Sequence, residues 1–562
     1  MKILISGFVL LFLMSSCGKD PHRRDYGVVA KHAMVVTAHT EATRIALDVL
    51  REGGNAVDAA AAAEFALAVC FPAAGNLGGG GFMVVRLSDG TIDALDYREK
   101  APQLADQDMF LDEHGTAVAD LSIFGYKAAG VPGTVDGLLR IHRKYGRLPW
   151  KNIVQPSINL SRQGFRISLI QAISLNDTRE DFLKYNSVRP PYVKDSLWKE
   201  NDILILPDLA HTLELIRDFG RDGFYSGEVA GKIVEEMRKN GGLIRQADLD
   251  NYSSVFRTPV TAGYKDYRII SMPPPSSGGI ALIQLLKIIE PFPIQQWGFH
   301  SAGTIHLIVE AERSVYADRA KYLGDPGFFP VPVRELLDSA YLRKRMCHFN
   351  PSVAGKSSEI TAGYIPGYES EETTHYSIID EDGNAVAGTT TLNQSFGSKI
   401  IIAGTGIILN DQMDDFSVKP GTPNSYGLIG GKANAIQPGK RMLSAMTPTI
   451  VEKKGNLFMV VGSPGGATII TSVMQTILNV IEYGMSMQEA VSASRFHHQW
   501  LPDVIYYENN GLDSLILSDL EAMGYHLQQR ESFGRVDAIL VTSDGSLEGG
   551  ADPRGDDTAM GY

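Results

Sequence analysis

The sequence predicts an α+β fold, and three observations carry that prediction. β-rich segments gather after residue 373, helical periods follow them, and the strand–helix–strand alternation of a parallel sheet is missing. Apolar residues make up 44% and charged residues 21% of the 562, a balance that buries a core and excludes collagen, coiled coil and global disorder. No internal repeat is visible. The 57 glycines point to many special backbone positions. Length allows roughly three to four domains as an upper bound. A net charge of −13 offers no basic face for phosphate, so nucleic acid is not an expected partner.

At the N-terminus Lys2 precedes an apolar run from Ile3 to Met14. The run is too short to span a bilayer and suits a signal-peptide core. Met14-Ser15-Ser16-Cys17 resembles a bacterial lipobox, in which the Cys becomes the lipidated first residue, although Leu is usual where Met14 stands. Residues 1–17 are therefore expected to be a lipoprotein-type signal peptide, with a plain secretory signal and then a cytosolic chain as the alternatives; Cys17 is the expected lipidation site and residues 18–32 a polar, basic tether. Two or more acyl chains suffice for stable anchoring. No later stretch reaches eighteen apolar residues, so no transmembrane helix is expected. The chain is expected in the bacterial cell envelope, periplasmic or at the surface, touching the membrane through lipid only. Its three Cys cannot form a disulfide framework. Cys70 and Cys347 are read as buried packing thiols.

A helix is predicted from about Thr40 to Glu52, stopped by Gly53-Gly54. Asn55 can cap the next, which runs to Val69. Pro72 to Gly81 is a glycine-dense loop, and Phe82–Leu87 with Thr91–Asp96 read as a hairpin around Ser88-Asp89-Gly90. Residues 150–350 read as mostly helical, interrupted by the irregular Met272-Pro273-Pro274-Pro275-Ser276-Ser277-Gly278-Gly279. Residues 350–372, polar and without periodicity, read as a mobile segment. Strands follow at Thr374–Ile379, Ala385–Thr391, Gly406–Leu409, Thr449–Glu452, Leu457–Val461 and Ala538–Thr542. Helices fit Thr468–Tyr483 and Ser486–Ala493.

The hairpin after residue 373 has the most informative geometry. A three-residue loop, Glu381-Asp382-Gly383, with Gly383 in the left-handed conformation pairs residues whose numbers sum to 764. Thr373 then faces Thr391, close enough for the two hydroxyls to meet. A two-residue loop would shift the register and break that pairing. Spacing alone is compatible with a Thr–Thr pair that only stabilises a sheet.

Longer motifs go further. They run from Glu52-Gly53-Gly54-Asn55-Ala56-Val57-Asp58-Ala59-Ala60 and Gly75-Asn76-Leu77-Gly78-Gly79-Gly80-Gly81-Phe82 through Asp96-Tyr97-Arg98-Glu99 and Gly130-Val131-Pro132-Gly133-Thr134-Val135. Thr373-Thr374-His375-Tyr376-Ser377, Asn410-Asp411-Gln412-Met413-Asp414-Asp415-Phe416, Gly462-Ser463-Pro464-Gly465-Gly466 and Arg495-Phe496-His497-His498-Gln499-Trp500 follow. In this order the chain resembles the γ-glutamyltransferase (γ-glutamyltranspeptidase) family of N-terminal nucleophile hydrolases, from about residue 26 to the C-terminus. The resemblance implies a four-layer αββα sandwich and a precursor that cuts itself at Glu372–Thr373. It implies a large subunit, 33–372, and a small catalytic subunit, 373–562, held in one globule as a heterodimer. Gln often stands where Glu372 does, a departure that should not block cleavage. The freed α-amine of Thr373, with a reference pKa near 7.7–8.0, can take the proton of the hydroxyl on the same residue.

The resemblance also implies the pocket. Thr373 is the nucleophile, Thr391 orients it, and the N–H groups of Gly465 and Gly466 form the oxyanion hole. Arg98 grips the donor's α-carboxylate, Ser444 adds a hydroxyl, Asp415 meets the α-ammonium, and Asn393 and Gln412 add neutral acceptors. Residues 420–437 are a lid, with Tyr426 over the nucleophile. Relatives often carry two serines where this chain has Ser444-Ala445, so one carboxylate contact is expected to be missing. His497 and His498 are adjacent, and no Cys or carboxylate completes a ligand set with them. They are read as structural neighbours of Trp500, and no metal or organic cofactor is implied. The expected function is γ-glutamyl transfer and hydrolysis, with glutathione and γ-glutamyl amides as donors and water, amino acids or peptides as acceptors. Two other readings stand beside it. A cephalosporin or glutaryl acylase would leave Asp415 without an ammonium to meet, and an uncleaved γ-glutamyl-peptide-binding lipoprotein would not need Thr373.

Overall fold

The computed structural model describes residues 24–75, 77–118, 120–360, 373–418 and 431–562. Cys17, the signal segment, Glu372 and Tyr426 lie outside the described residues. Fourteen strands build two large sheets: β1 Val28–Ala30, β2 Met34–Thr37, β3 Gly80–Arg86, β4 Ile92–Asp96, β5 Val255–Arg257, β6 Val260–Tyr264, β7 Tyr267–Ser271, β8 Thr374–Ile379, β9 Ala385–Thr391, β10 Thr449–Lys453, β11 Asn456–Gly462, β12 Asp537–Val541, β13 Leu547–Gly550 and β14 Thr558–Gly561. The first sheet runs β1-β13-β12-β11-β10-β7-β6 and the second β14-β2-β8-β9-β3-β4-β5. Every pairing within them is antiparallel.

The sheets pack face to face, β8 and β9 lying against β11 and β12. Helices α1 Thr40–Arg51, α2 Ala56–Cys70 and α3 Thr134–Tyr145 cover the second sheet. Beside them, α4 Leu169–Asp177 borders the end of α2. Helices α5 Gly278–Ile289, α7 Thr468–Ile481 and α8 Met487–Ser492 cover the first sheet, and α6 Ala302–Tyr322 lies on α5. The layer order is αββα, as the resemblance implies.

Both sheets are buried on both sides, so their strands read as apolar runs. Along β3, Met83 and Val85 point into the core under α2, while Phe82 and Val84 point between the sheets. In β8, Tyr376 and Ile378 face the helices and Ile379 faces the other sheet. Helix α2 is buried along its whole length, and Asn55 with Asp58 closes a capping box at its start.

The structure departs from the sequence reading at several points. Residues 150–350 are mostly helical, but Val255–Ser271 forms three strands, and β6–β7 edges the first sheet. The turn between those two is Lys265-Asp266, with Lys265 at φ 49°, and carries no glycine or asparagine to announce it. Within the expected tether, 18–32, residues Val28–Ala30 form β1, which pairs with β13. Residues 350–360 are tied down: Ser357 is buried, its N–H donates to Asp503 at 2.8 Å, and its carbonyl accepts from Trp500 Nε1 at 3.1 Å. Cys70 is buried as expected, but Cys347 is exposed. It follows the C-cap of a short surface helix, Ser339–Arg345, where no layer covers it.

Candidate active site

The hairpin β8–β9 has the expected register, from Thr374↔Thr390 to Ile379↔Ala385. Gly383 adopts φ 82°, and its N–H donates to the Asp380 carbonyl at 3.1 Å, which closes the three-residue turn. Thr373 stands one residue before β8, opposite Thr391 by the same register. Both are buried, at 6% and 4% exposure. Thr391 Oγ1 accepts the Asn393 N–H at 2.8 Å. Glycines let the strands approach. A Cβ on Gly388 would lie 2.2 Å from the Tyr376 ring, and one on Gly462 the same distance from the His375 ring.

Gly465 and Gly466 follow β11 and lead into α7. Their φ angles, 126° and 54°, lie where side chains are disfavoured. A Cβ on Gly465 would sit 2.4 Å from Thr468 Oγ1. Among the described residues neither N–H has an acceptor. Two such donors beside a helix N-terminus suit a developing oxyanion.

On the other side of the hairpin, Arg98 follows β4 and is 1% exposed. It is not a surface cation: its guanidinium donates to the Asp415 carboxylate and to Glu99 at 3.4 Å. Its Nε and Nη2 also reach the Met442 and Leu443 carbonyls at 3.5 and 3.4 Å. Burial pushes Asp415 up and Arg98 partly offsets this. Burial likewise pushes Glu99 up to about 7, with Arg98 again the main opposing influence. Gln412 is fully buried, yet neither end of its amide has a partner among the described residues. Buried amides are normally satisfied, so this one suits a ligand that brings its own donor and acceptor. Ser444 leads towards β10, and its Oγ accepts the Met446 N–H at 3.1 Å. Asn393 stands at φ 82° with its Nδ2 on the Asp411 carbonyl at 3.1 Å.

Three supporting groups have no signal in spacing alone. Asn410 ties the glycine loops together, donating to the carbonyls of Gly78 at 2.7 Å and Gly130 at 2.9 Å. Arg319, from α6, donates to Ser277 Oγ at 2.8 Å, and Ser277 Oγ donates to the Ser444 carbonyl at 2.7 Å. Glu64, from α2, accepts the hydroxyls of Tyr376 at 2.6 Å and Tyr97 at 2.9 Å behind the second sheet. Burial pushes its carboxyl up to about 7. The adjacent histidines are structural in their contacts. His497 Nδ1 meets Thr471 Oγ1 at 2.9 Å, and His498 Nδ1 accepts the Trp500 N–H at 3.1 Å. Burial pushes His497 down to about 3.

Comparison with known proteins identifies the family of the chain. A profile of the gamma-glutamyltranspeptidase family matches residues 42–562. The glutathione hydrolase proenzyme of Escherichia coli (strain K12) is 48% identical over 546 residues, covering 95% of this chain and 93% of that one. An acylase ACY 1 proenzyme of a Pseudomonas species is 34% identical, covering 97% and 95%. Among solved structures, Helicobacter pylori gamma-glutamyltranspeptidase aligns with TM-score 0.57 and 44% identity, over 61% of this chain and 97% of that one. The cephalosporin acylase of Bacillus halodurans shares the fold, with TM-score 0.83 at 24% identity over 98% and 99%.

Proposed function

Because the chain belongs to the gamma-glutamyltranspeptidase family, we propose that it is a γ-glutamyltransferase and glutathione hydrolase that makes its own nucleophile. In maturation the Thr373 hydroxyl attacks the Glu372 carbonyl, the peptide bond becomes an ester, and water hydrolyses that ester. Residues 33–372 and 373–562 stay together, because β8 pairs with β2 and β9 pairs with β3 across the cut. The H. pylori chain aligns with 61% of this one, about the share that 340 of 562 residues represents. That share matches the length of the proposed large subunit.

In the reaction the Thr373 α-amine takes the proton of its own hydroxyl, and Oγ attacks the γ-carbonyl. The Gly465 and Gly466 N–H groups stabilise the oxyanion. The C–N bond breaks, the leaving amine takes the proton, and a γ-glutamyl ester remains on Thr373. Water or an acceptor amine then attacks the ester. At the other end, cleavage of the signal segment and lipidation of Cys17 would anchor the enzyme in the cell envelope. No helix of the described residues is long and apolar enough to cross a membrane.

One observation carries the substrate assignment: Arg98 and Asp415, of opposite charge, face each other beside the orphaned Gln412 amide. A donor with an α-carboxylate and an α-ammonium can enter by exchanging partners with that pair, so no charge is left alone. A glutaryl group cannot, because it has no ammonium. Losing a hydrogen bond to a charged group costs about 1.5–3 kcal/mol. Asp415→Asn should therefore lower kcat/KM for a γ-glutamyl amide roughly 10- to 100-fold and leave the slow hydrolysis of the matching glutaryl amide little changed. A wild-type enzyme that cleaves both amides equally well would contradict the assignment and favour the acylase reading.

A further inference from the structure

One face of the molecule is apolar and open to solvent. On α4, Leu169 and Ile173 stand four residues apart and so on one side of the helix. They are 55% and 52% exposed, while Gln171, Ala172 and Leu175 turn inward. Just before α4, Phe165–Arg166 pairs with Ile203–Leu204 as a two-stranded ribbon, Arg166 opposite Ile203. Ile203 and Ile205 are half exposed as well. Large apolar side chains exposed singly need no explanation, whereas a cluster of them marks an interaction surface.

The N-terminal segment leaves the globule beside this face. The Asp25 carbonyl accepts the Ser486 hydroxyl, and a Cβ on Gly27 would lie 2.9 Å from Gln488 Oε1. Gln488 Nε2 in turn donates to the Ala551 carbonyl at 2.9 Å. Helix α4 is held to the same stretch from its other end, since its N-cap Ser168 donates to Asp556 Oδ2 at 2.5 Å. Ala551 and Asp556 are five residues and so at most about 18 Å apart. β1 also contacts β14, which begins two residues after Asp556. At the exit itself Tyr26 and Val29 are 47% and 55% exposed. The exit and α4 therefore share one side of the globule.

Chain length turns that neighbourhood into a constraint. The anchor of the proposed function is Cys17, seven residues before Arg24, and seven residues span at most about 25 Å. A globule of 562 residues has a radius of gyration of about 24 Å, so only the half of its surface around the exit can come down on the bilayer. That half carries the four aliphatic side chains. Charge points the same way. Lys19, Arg23 and Arg24 outnumber Asp20 in the tether, which draws it to anionic headgroups. The chain as a whole, at −13, is repelled by them. Contact beyond the tether must then rest on apolar groups.

Resting on the lipid anchor of the proposed function, we propose that this face docks on the bilayer that holds the anchor. Leu169 and Ile173 of α4, with Ile203 and Ile205 beside them, enter the boundary between headgroups and acyl chains. A helix lying in that boundary buries its apolar face by about 5–10 Å. Tyr26 sits at headgroup level, where an aromatic ring with a polar tip is favoured. The anchor sets where the enzyme is, and the tether alone leaves it free to turn. The second contact sets which way it faces.

The test uses the acylated full chain in vesicles of phosphatidylethanolamine and phosphatidylglycerol, with a thiol-reactive fluorophore at one of two positions. Cys347 is exposed and serves as the far-side reference. The short helix before it packs on α5, which lies over β6 and β7, the sheet edge opposite β1. The other position is Ile173→Cys combined with Cys347→Ser; Cys70 is buried and takes no label. Brominated acyl chains should quench the label at 173 and spare the one at 347, and aqueous iodide should do the reverse. Leu169→Glu with Ile203→Glu, both at half-exposed positions and so of little risk to folding, should abolish the lipid quenching at 173. Equal quenching at the two positions, or lipid quenching that survives the double substitution, would overturn the proposal. Shielding of 173 from iodide without lipid quenching would show a face between two copies and overturn it too. A purified chain whose mass carries no acyl groups would instead refute the anchor, and the docking face with it.

Discussion

Ala445 is buried beside Ser444, where the family pattern calls for a second serine. Ser444 Oγ accepts the Met446 N–H, so its own proton remains available to a carboxylate. Ala445 can offer nothing. Ala445→Ser should lower KM for γ-glutamyl donors, by up to the roughly 10- to 100-fold that one charged hydrogen bond of about 1.5–3 kcal/mol represents. An unchanged or higher KM in steady-state assays would show that the contact is already replaced. Most of the candidate site was legible at this scale, because its residues sit in motifs that are contiguous in sequence. Arg319 and Glu64 were not legible. Each lies inside an ordinary helical run, and only the tertiary fold brings Arg319 to Ser277 and Glu64 to Tyr97 and Tyr376.

Among elements, the hairpin β8–β9 was readable to the residue, since a glycine-closed turn fixes its register. Its tolerance for change is low. Gly388→Ala would set a methyl group against the Tyr376 ring, an overpacking that costs about 1–3 kcal/mol. It should lower the midpoint of denaturant unfolding measured by circular dichroism. An unchanged midpoint would show that the ring can move aside. The pair β6–β7 was missed for the opposite reason. Its apolar alternation, Val260, Ala262 and Tyr264 then Tyr267 and Ile269, is short and lies between helices, and its turn lacks the usual residues. The short strands β1, β2, β13 and β14 were missed as well: each is three or four residues long, and β1 and β14 are held extended by β13 and β2.

For the whole molecule, burial between layers has a price in pH dependence. Glu64 titrates at about 7 in the folded chain against an ordinary 4.5, so the folded state keeps a proton that the unfolded chain has lost between those values. The stability this supplies is fully present below about pH 4.5 and is lost as pH rises through 7. In Glu64→Gln no such loss occurs, and Oε1 can still accept both tyrosine hydroxyls. The stability of the variant relative to wild type should rise between pH 4.5 and 8, measured by denaturant unfolding. A difference independent of pH would contradict the buried-proton account. The layered architecture followed from the family motifs, whereas strand and helix patterns alone reached only the α+β class. The central claim concerns the one bond that divides the globule. It is tested most directly by intact-mass measurement of the purified protein with N-terminal sequencing of the smaller fragment, alongside Thr373→Ala. The account predicts a 190-residue fragment beginning at Thr373 in the wild type and a single chain in the variant. An uncleaved wild type, or the same fragment from Thr373→Ala, would contradict it.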